Sequence, residues 1–446
     1  MKKKITDDIK LKIMLAAGIL LRLYYVVATP VIQTRQYDLG SAVPKEGIFS
    51  GHLGYIFYLF TYKGLPDFDP REVYQFFHPP LHHTISALWM GFVSLFTDRQ
   101  EIWIECLQVL PLLYSILILF VSLLICKEFG LSGKSRNLVM AIVAFHPSLI
   151  FMAGSINNDG LSLLFQFLVI LTALGWYRER SYKNILMIAL SISLGMLTKL
   201  SVGMFAVPVA FLFLYVLITE WQIKRFYQYL VFGAVCIPIG LSWAVRCLLR
   251  FGMPLTYVNH LPEQSWQYVG NYSLMERFFL PNPIGFLSNL AHGSLGFGEN
   301  VWVQLFRTAA LGECDLSTFP LWGKFVALLM IALSFLIAVW AFVLLIRVFL
   351  FGKKEQYPIL DMGKRCFWVI GYAVLFISYL NFCYNFPHQC TMNFRYMVPT
   401  VLYPAVAAGL CIQRGEDRKW VTVFRVITAI YAIVAILTII VWCVAV

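Results

Sequence analysis

The charges most able to do chemistry in this chain sit where apolar runs end. Asp38 closes Thr34-Arg35-Gln36-Tyr37-Asp38, just past the first such run. A carboxylate at the edge of a membrane is partly desolvated, which raises its basicity and suits it to take a proton from a hydroxyl. The plain alternative is a solvated loop acid or a helix cap. Phe76-Phe77-His78-Pro79-Pro80-Leu81-His82-His83 comes next. Its paired prolines stiffen the approach to a helix and can start it, and His78, just ahead of them, can donate to a phosphate or carboxylate. With Asp67 and Asp69, His78, His82 and His83 are also the makings of a divalent-metal site. Against that, adjacent histidines on one helix point apart, and no HExxH-type spacing appears. A second acid, Asp159, lies in His146-Pro-Ser-Leu-Ile-Phe-Met-Ala-Gly-Ser-Ile-Asn157-Asn158-Asp159-Gly160, a stretch that is also good turn and N-cap chemistry.

The cations follow the same logic. Lys199 sits in the break Thr198-Lys199-Leu200, Arg246 and Arg250 end a long apolar run, and Arg395 opens another in Asn393-Phe394-Arg395-Tyr396-Met397-Val398-Pro399. Cations at such depth are costly in lipid and count as site candidates; the bland reading is snorkelling to headgroups. Arg22, inside the first run, needs a polar partner; a structural ion pair or a lipid phosphate would serve.

The elements that must position these residues are membrane helices. Of 446 residues, 60% are hydrophobic and 13% charged, against about 45–50% and about 25% in a soluble domain. Disorder, collagen and a secreted disulfide scaffold are excluded; an all-α polytopic membrane protein remains. A crossing helix needs about 20 apolar residues. Eleven spans are predicted, near 12–31, 103–126, 138–155, 160–177, 184–199, 201–220, 226–247, 320–348, 366–383, 394–413 and 421–445. The run 320–348 is long enough to predict tilt or an extension beyond the bilayer.

Segment 81–97 decides the topology. If it lies flat on the outer surface, five basic loops fall inside, holding Lys127/Lys134/Arg136, Arg178/Arg180/Lys183, Lys224/Arg225, Lys353/Lys354/Lys364/Arg365 and Arg414/Arg418/Lys419. If it crosses, the positive-inside rule is broken five times. We therefore read it as an interfacial helix, with the N-terminus cytoplasmic in a multi-pass plasma-membrane protein. MKKKITDDIKLK followed by an apolar run reads as a signal anchor rather than a cleaved signal peptide. Outer loops then span about 32–102 and 248–319, with a short one at 384–393. All eight histidines, His52, His78, His82, His83, His146, His260, His292 and His388, fall on that side or in the outer half of a helix. The net charge of +12 reports topology and gives no support for nucleic acid as a partner. The ten cysteines show no metal spacing, and Cys126, Cys236, Cys411 and Cys443 lie in apolar runs. A bridge among Cys314, Cys383 and Cys390 is a weak expectation.

Six stretches carry a resemblance: TRQYD, FHPPLHH, HPSLIFMAGSINNDG, LGMLTKLSVGMFAVPVA, SWAVRCLLRFGMPL and FRYMVPTVLYP. In this order the chain resembles bacterial glycosyltransferases of the GT-C superfamily, in particular those similar to dolichyl-phosphate-mannose protein mannosyltransferases (family 39 and its relatives). The resemblance implies a single integral membrane domain over 1–446, with a helical C-terminal part at 320–446. It implies a polyprenyl-phosphate sugar as donor, an acceptor hydroxyl on a protein, lipid or glycan, and chemistry on the extracytoplasmic face. Asp38 falls at the position of the catalytic acid and Asp159 at a second acidic position. His78, Lys199, Arg395 and Arg246 fall near the donor phosphate, while His52, His82, His83 and Tyr396 are candidate substrate contacts. No cofactor is implied; a divalent metal stays open. The chain departs from the pattern in having Tyr-Asp rather than a paired Asp-Glu in the first loop, and Ser242-Trp243 in place of Pro-Trp. No large soluble domain is expected after the last span. The rival readings are a transporter or lipid flippase, expected to show inverted repeats and midplane binding residues, and a membrane scaffold without chemistry.

Overall fold

The computed structural model describes residues 2–31, 38–282, 298–313, 319–415 and 419–445. Helix α1 (Lys2–Ala28) leads to a small outer unit. This unit holds the hairpin β1 (Ser41–Val43) and β2 (Ile48–Ser50), paired antiparallel with Ala42 opposite Phe49, and helices α2 (Gly51–Tyr62) and α3 (Leu81–Val93). The bundle continues through α4 (Gln100–Cys106), α5 (Val109–Glu128), α6 (Gly133–Phe145), α7 (Pro147–Phe151), α8 (Asp159–Arg178), α9 (Tyr182–Met196), α10 (Ala206–Thr219) and α11 (Ile223–Phe251). After α12 (Leu274–Phe278) and α13 (Val301–Leu311) come α14 (Leu321–Leu345), α15 (Met362–Asn385), α16 (Leu402–Arg414) and α17 (Lys419–Ala445). The main core lies between the bundle helices; a second, smaller one joins α2 and α3 to Val31, Phe76, Leu107 and Ile156.

Eight described stretches are long and apolar enough to cross a membrane: Thr6–Ala28, Gln100–Glu128, Asp159–Arg178, Leu200–Thr219, Ile223–Phe251, Leu321–Leu350, Met362–Asn385 and Lys419–Ala445. This is a multi-pass membrane protein. Three of the eleven predicted spans are shorter helices, so that count is not confirmed. Segment 138–155 breaks between α6 and α7 at His146-Pro147, where proline cannot continue the hydrogen-bond ladder. Segment 184–199 is the 15-residue α9, and 394–413 is two tight turns followed by the 13-residue α16. The run 320–348 forms α14 and continues through a wide turn, Ile346–Leu350. Segment 81–97 forms the 13-residue α3. That is too short to cross; it packs on α2 and exposes Leu88 and Phe92 on its other side.

One expectation is met and one needs correction. Arg22 is fully buried and finds the polar partners it needs. It donates from Nε to Ser115 Oγ at 2.8 Å and from Nη1 to the carbonyls of Gly18 at 2.9 Å and Ala144 at 2.7 Å, tying α1 to α5 and α6. Cys383 and Cys390 are both free thiols, and Cys383 Sγ donates to the Thr391 carbonyl at 3.6 Å. Cys314 and His292 lie outside the described residues.

Candidate functional site

Four of the charged residues singled out above meet in one chain of ion pairs. Arg395 Nη2 lies 3.2 Å from Asp38 Oδ2, and its Nη1 lies 3.7 Å from Asp159 Oδ2. Lys199 Nζ pairs with Asp159 Oδ1. Residues more than 350 positions apart in sequence thus share one charge network. Its members are not equally accessible: Asp38 keeps 27% side-chain exposure and Lys199 18%, against 9% for Arg395 and 8% for Asp159. Asp38 is the carboxylate that faces outward.

Local structure explains each position. Asp38 has a left-handed backbone, φ 58°, which Asp tolerates better than most residues. Its carbonyl accepts from the His52 amide at 3.1 Å, so the residue caps the start of α2. The close approach behind it needs glycine: a Cβ on Gly40 would lie 2.0 Å from the Ser50 carbonyl oxygen. Asp159 opens α8, where the leading amides favour negative charge. Asn157 Oδ1 accepts from the Asp159 amide at 3.0 Å, the expected turn chemistry. Asn158 Nδ2 donates to the Thr198 carbonyl at 2.9 Å, which joins the Asn-Asn-Asp-Gly turn to the Lys199 break. Asn393 Oδ1 accepts from the Arg395 amide at 2.9 Å, and Phe394 N donates to Thr308 Oγ1 at 2.9 Å, docking the Arg395 turn on α13.

Tyr396 completes the cluster. Its hydroxyl accepts from Arg395 Nη2 at 2.9 Å, and Lys199 Nζ stands 5.1 Å from its ring centroid.

The histidines lie behind this front. His52 stacks on His78, with centroids 5.3 Å apart, and on His83 at 5.2 Å, and its Nδ1 is 2.9 Å from His83 Nε2. His82 turns away to the Ile156 carbonyl at 2.7 Å. His52, His82 and His83 are buried, so they support the site from beneath and do not line its mouth. Burial lowers all four; His78 falls to about 3, with Lys199 adding to the effect, and His82 falls to about 4. These imidazoles are neutral at ordinary pH. A neutral His78 can still donate one hydrogen bond.

Asp38 departs from the sequence expectation. Burial does push its carboxyl up, but the Arg395 guanidinium and the Tyr74 hydroxyl oppose it, and the carboxyl sits below its ordinary value. Tyr74 Oη donates to Asp38 Oδ1 at 2.5 Å.

Two neighbours were missed in the sequence. Tyr74 carries no signal that separates it from the other tyrosines. Glu313 follows the helix Val301–Leu311, which lies within the stretch read from the sequence as an outer loop, so no predicted span end marked it. Its Oε1 accepts from Asn393 Nδ2 at 3.0 Å, the same asparagine that holds Arg395. Burial pushes the Glu313 carboxyl up to about 7, with Asp38 adding and Arg395 opposing.

Other candidates stand apart. Arg246 donates from Nη2 to the Pro66 carbonyl at 2.6 Å and lies over Trp243, which anchors the first outer loop. Asp67 pairs with Arg250, and Asp69 with Arg71 at 2.5 Å. Because both acids are engaged there, the His–Asp set does not assemble, and among the described residues no group of three or more His, Cys, Asp or Glu is placed to hold a metal.

No family model matches the chain, and no curated protein matches it in sequence. Solved structures do. An oligosaccharyltransferase from Archaeoglobus fulgidus, in complex with Zn and sulfate, overlays with a TM-score of 0.53 at 13% identity, covering 96% of this chain and 53% of that one. The same enzyme tethered to an acceptor peptide gives a TM-score of 0.52 at 13% identity, covering 98% and 55%. The fold is the GT-C fold. ArnT from Cupriavidus metallidurans, bound to undecaprenyl phosphate, overlays more loosely, with a TM-score of 0.43 at 16% identity and coverage of 97% and 76%. The chain described here spans about half the length of the oligosaccharyltransferase. The overlay shows the fold that the motifs led us to expect and does not reach the narrower family 39.

Proposed function

We propose that the chain is a glycosyltransferase of the GT-C type that moves a sugar from a polyprenyl-phosphate donor to an acceptor hydroxyl, with inversion. One observation carries the reading: Arg395 bridges two carboxylates, Asp38 and Asp159, at one end of a membrane bundle. The donor's tail must stay in the bilayer while its sugar reaches water, so chemistry belongs at such an end. The acceptor oxygen attacks the anomeric carbon as the bond from that carbon to the phosphate oxygen breaks. The acceptor proton passes to Asp38, the more exposed carboxylate and one that is ionised at neutral pH. The departing polyprenyl phosphate takes its negative charge to Arg395 and Lys199, with His78 as a neutral donor beside them. Asp159 holds those two cations in place, and Tyr396 fixes the Arg395 fork. Fixed cations thereby supply the charge stabilisation that the step needs.

Sidedness follows from the basic turns. Glu128 pairs with Arg178, and Arg180 with Glu220 at 3.0 Å, while Tyr177 donates to Asp361 at 2.9 Å. These contacts gather the turns after α5, α8, α10 and α14 at the end of the bundle away from Asp38. The positive-inside rule supports reading that end as cytoplasmic and the site as extracytoplasmic, in a plasma-membrane enzyme. The test is purified protein incubated with a panel of polyprenyl-phosphate sugars, mannose among them, with mass spectrometry of donor and acceptor. Release of free polyprenyl phosphate with glycosylation of a hydroxyl acceptor is expected. Intact donor across the whole panel would sink the reading.

A further inference from the structure

The end of the bundle opposite Asp38 holds a second built feature. A cavity of about 250 Å³ opens where the wide turn after α14, the C-terminus of α16 and the N-terminus of α17 meet. Arg347, Gln356, Tyr357, Cys411, Arg414 and Trp420 line it. Arg395 lies in the turns before α16 and Arg414 ends α16, whose 13 residues span about 20 Å at 1.5 Å per residue, so this cavity is separate from the ion-pair cluster.

Among the described residues its charge is one-sided. No described carboxylate lines it, and among the described residues neither Arg347 nor Arg414 forms an ion pair. Arg414 lies over the Tyr357 ring, 5.6 Å from its centroid. Of the two helix C-termini that meet here, the one after α14 is covered: Arg365 Nη1 donates to the carbonyls of Val348 and Phe349, each at 3.0 Å, and its Nε to Leu360 at 3.1 Å. From the other side, α17 presents its positive end, with Trp420 in its first turn. The flanking turn carries Lys353 and Lys354 with one acid, Glu355, and the amides of Gln356 and Tyr357 fold back on Lys353. Glu416, Asp417 and Arg418 follow in sequence and lie outside the described residues.

We propose that this cavity binds a phosphate group, carried by an anionic membrane lipid or by a soluble phosphate. Two guanidinium forks match phosphate oxygens two at a time, which a solvated lysine cannot do. The Gln356 side-chain carboxamide and the Trp420 indole add neutral donors. Basic pockets at the cytoplasmic ends of membrane helices take lipid phosphates in this way. Exposed Leu350 and Phe351 lie beside the cavity, where acyl chains would cover them, and this favours the lipid source.

The experiment uses the purified full chain in a zwitterionic detergent. Phosphatidylglycerol, phosphatidylcholine and inorganic phosphate are added separately, and binding is followed by native mass spectrometry and by thermal shift. Phosphatidylglycerol is expected to bind and raise Tm, phosphatidylcholine to do neither, and R347Q/R414Q to bind phosphatidylglycerol about tenfold more weakly. The single variants R347Q and R414Q, each expected to lose a few-fold, keep the test decisive if the double variant misfolds. Arginine-dependent binding of inorganic phosphate without phosphatidylglycerol supports the site with a soluble source. Equal binding of all three probes, none, or binding unchanged in every variant overturns the proposal.

Discussion

Two buried arginines in this protein have opposite surroundings. Arg22 is sealed between α1, α5 and α6, and its described partners are a hydroxyl and two backbone carbonyls. Arg395 stands between two carboxylates and a phenol contributed by widely separated segments, beside a partly exposed Asp38. Both satisfy a charge that lipid would not tolerate. Only the second set can change partners when an anion arrives, because a phosphate can replace a carboxylate on the same guanidinium fork. A cation at membrane depth is therefore structural when packed neutral groups hold it and functional when acids at an open edge do.

Breaking each half of that contrast should give different losses. The largest is expected for Asp38→Asn, which keeps the size of the side chain but removes the base: transfer should fall roughly a thousandfold, with little change in Tm. Donor release at the wild-type rate would remove Asp38 from the mechanism. Arg395→Gln should cost about a hundredfold in kcat/KM for the donor. Arg395→Lys should recover part of it, since charge returns without the fork. Arg22→Ala should do the reverse, lowering stability by roughly 2 kcal/mol while the folded fraction transfers sugar at the normal rate. Thermal melts and single-turnover rates on the same samples separate the two behaviours.

Glu313 sharpens the contrast through pH. Its folded value of about 7 is raised above the ordinary 4.5, mainly by burial. The stability it contributes is full below the ordinary value and is lost as pH rises through about 7. Ionisation there also places a third negative charge next to Arg395, in competition with the donor phosphate. Transfer should decline several-fold above pH 7, and Glu313→Gln should flatten that limb of the profile. A profile unchanged by Glu313→Gln would show that another group sets it. The smallest effect is expected for Tyr74→Phe. The bond it removes stabilises the ionised Asp38, so the acid limb should move to higher pH with only a few-fold loss at neutral pH.

Much of this was legible in the sequence, for an identifiable reason. In a chain with 13% charged residues, each charge at a helix end stands out, and Asp38, Asp159, Lys199 and Arg395 were visible on that ground alone. What failed was depth and direction. His82 and His83 looked like substrate contacts, yet α3 buries them against Ile156 and Tyr55. Arg246 looked like a phosphate ligand, yet the first outer loop uses it at Pro66. Hydropathy overstated the segments interrupted by His146-Pro147 and by the turns before Leu402, because an apolar average does not register a broken hydrogen-bond ladder. Glu313 was missed because the helix before it, Val301–Leu311, lies in a stretch read as an outer loop.

The most direct test of the central claim is a single-turnover comparison with a reactive polyprenyl-phosphate sugar, run side by side for the wild type, Asp38→Asn, Arg395→Gln and Arg22→Ala, with folded protein quantified in each sample. The account predicts transfer by the wild type and by folded Arg22→Ala at matching rates, a deep loss in Arg395→Gln and a deeper one in Asp38→Asn. Equal rates in all four, or a loss that follows only the folded fraction, would contradict it.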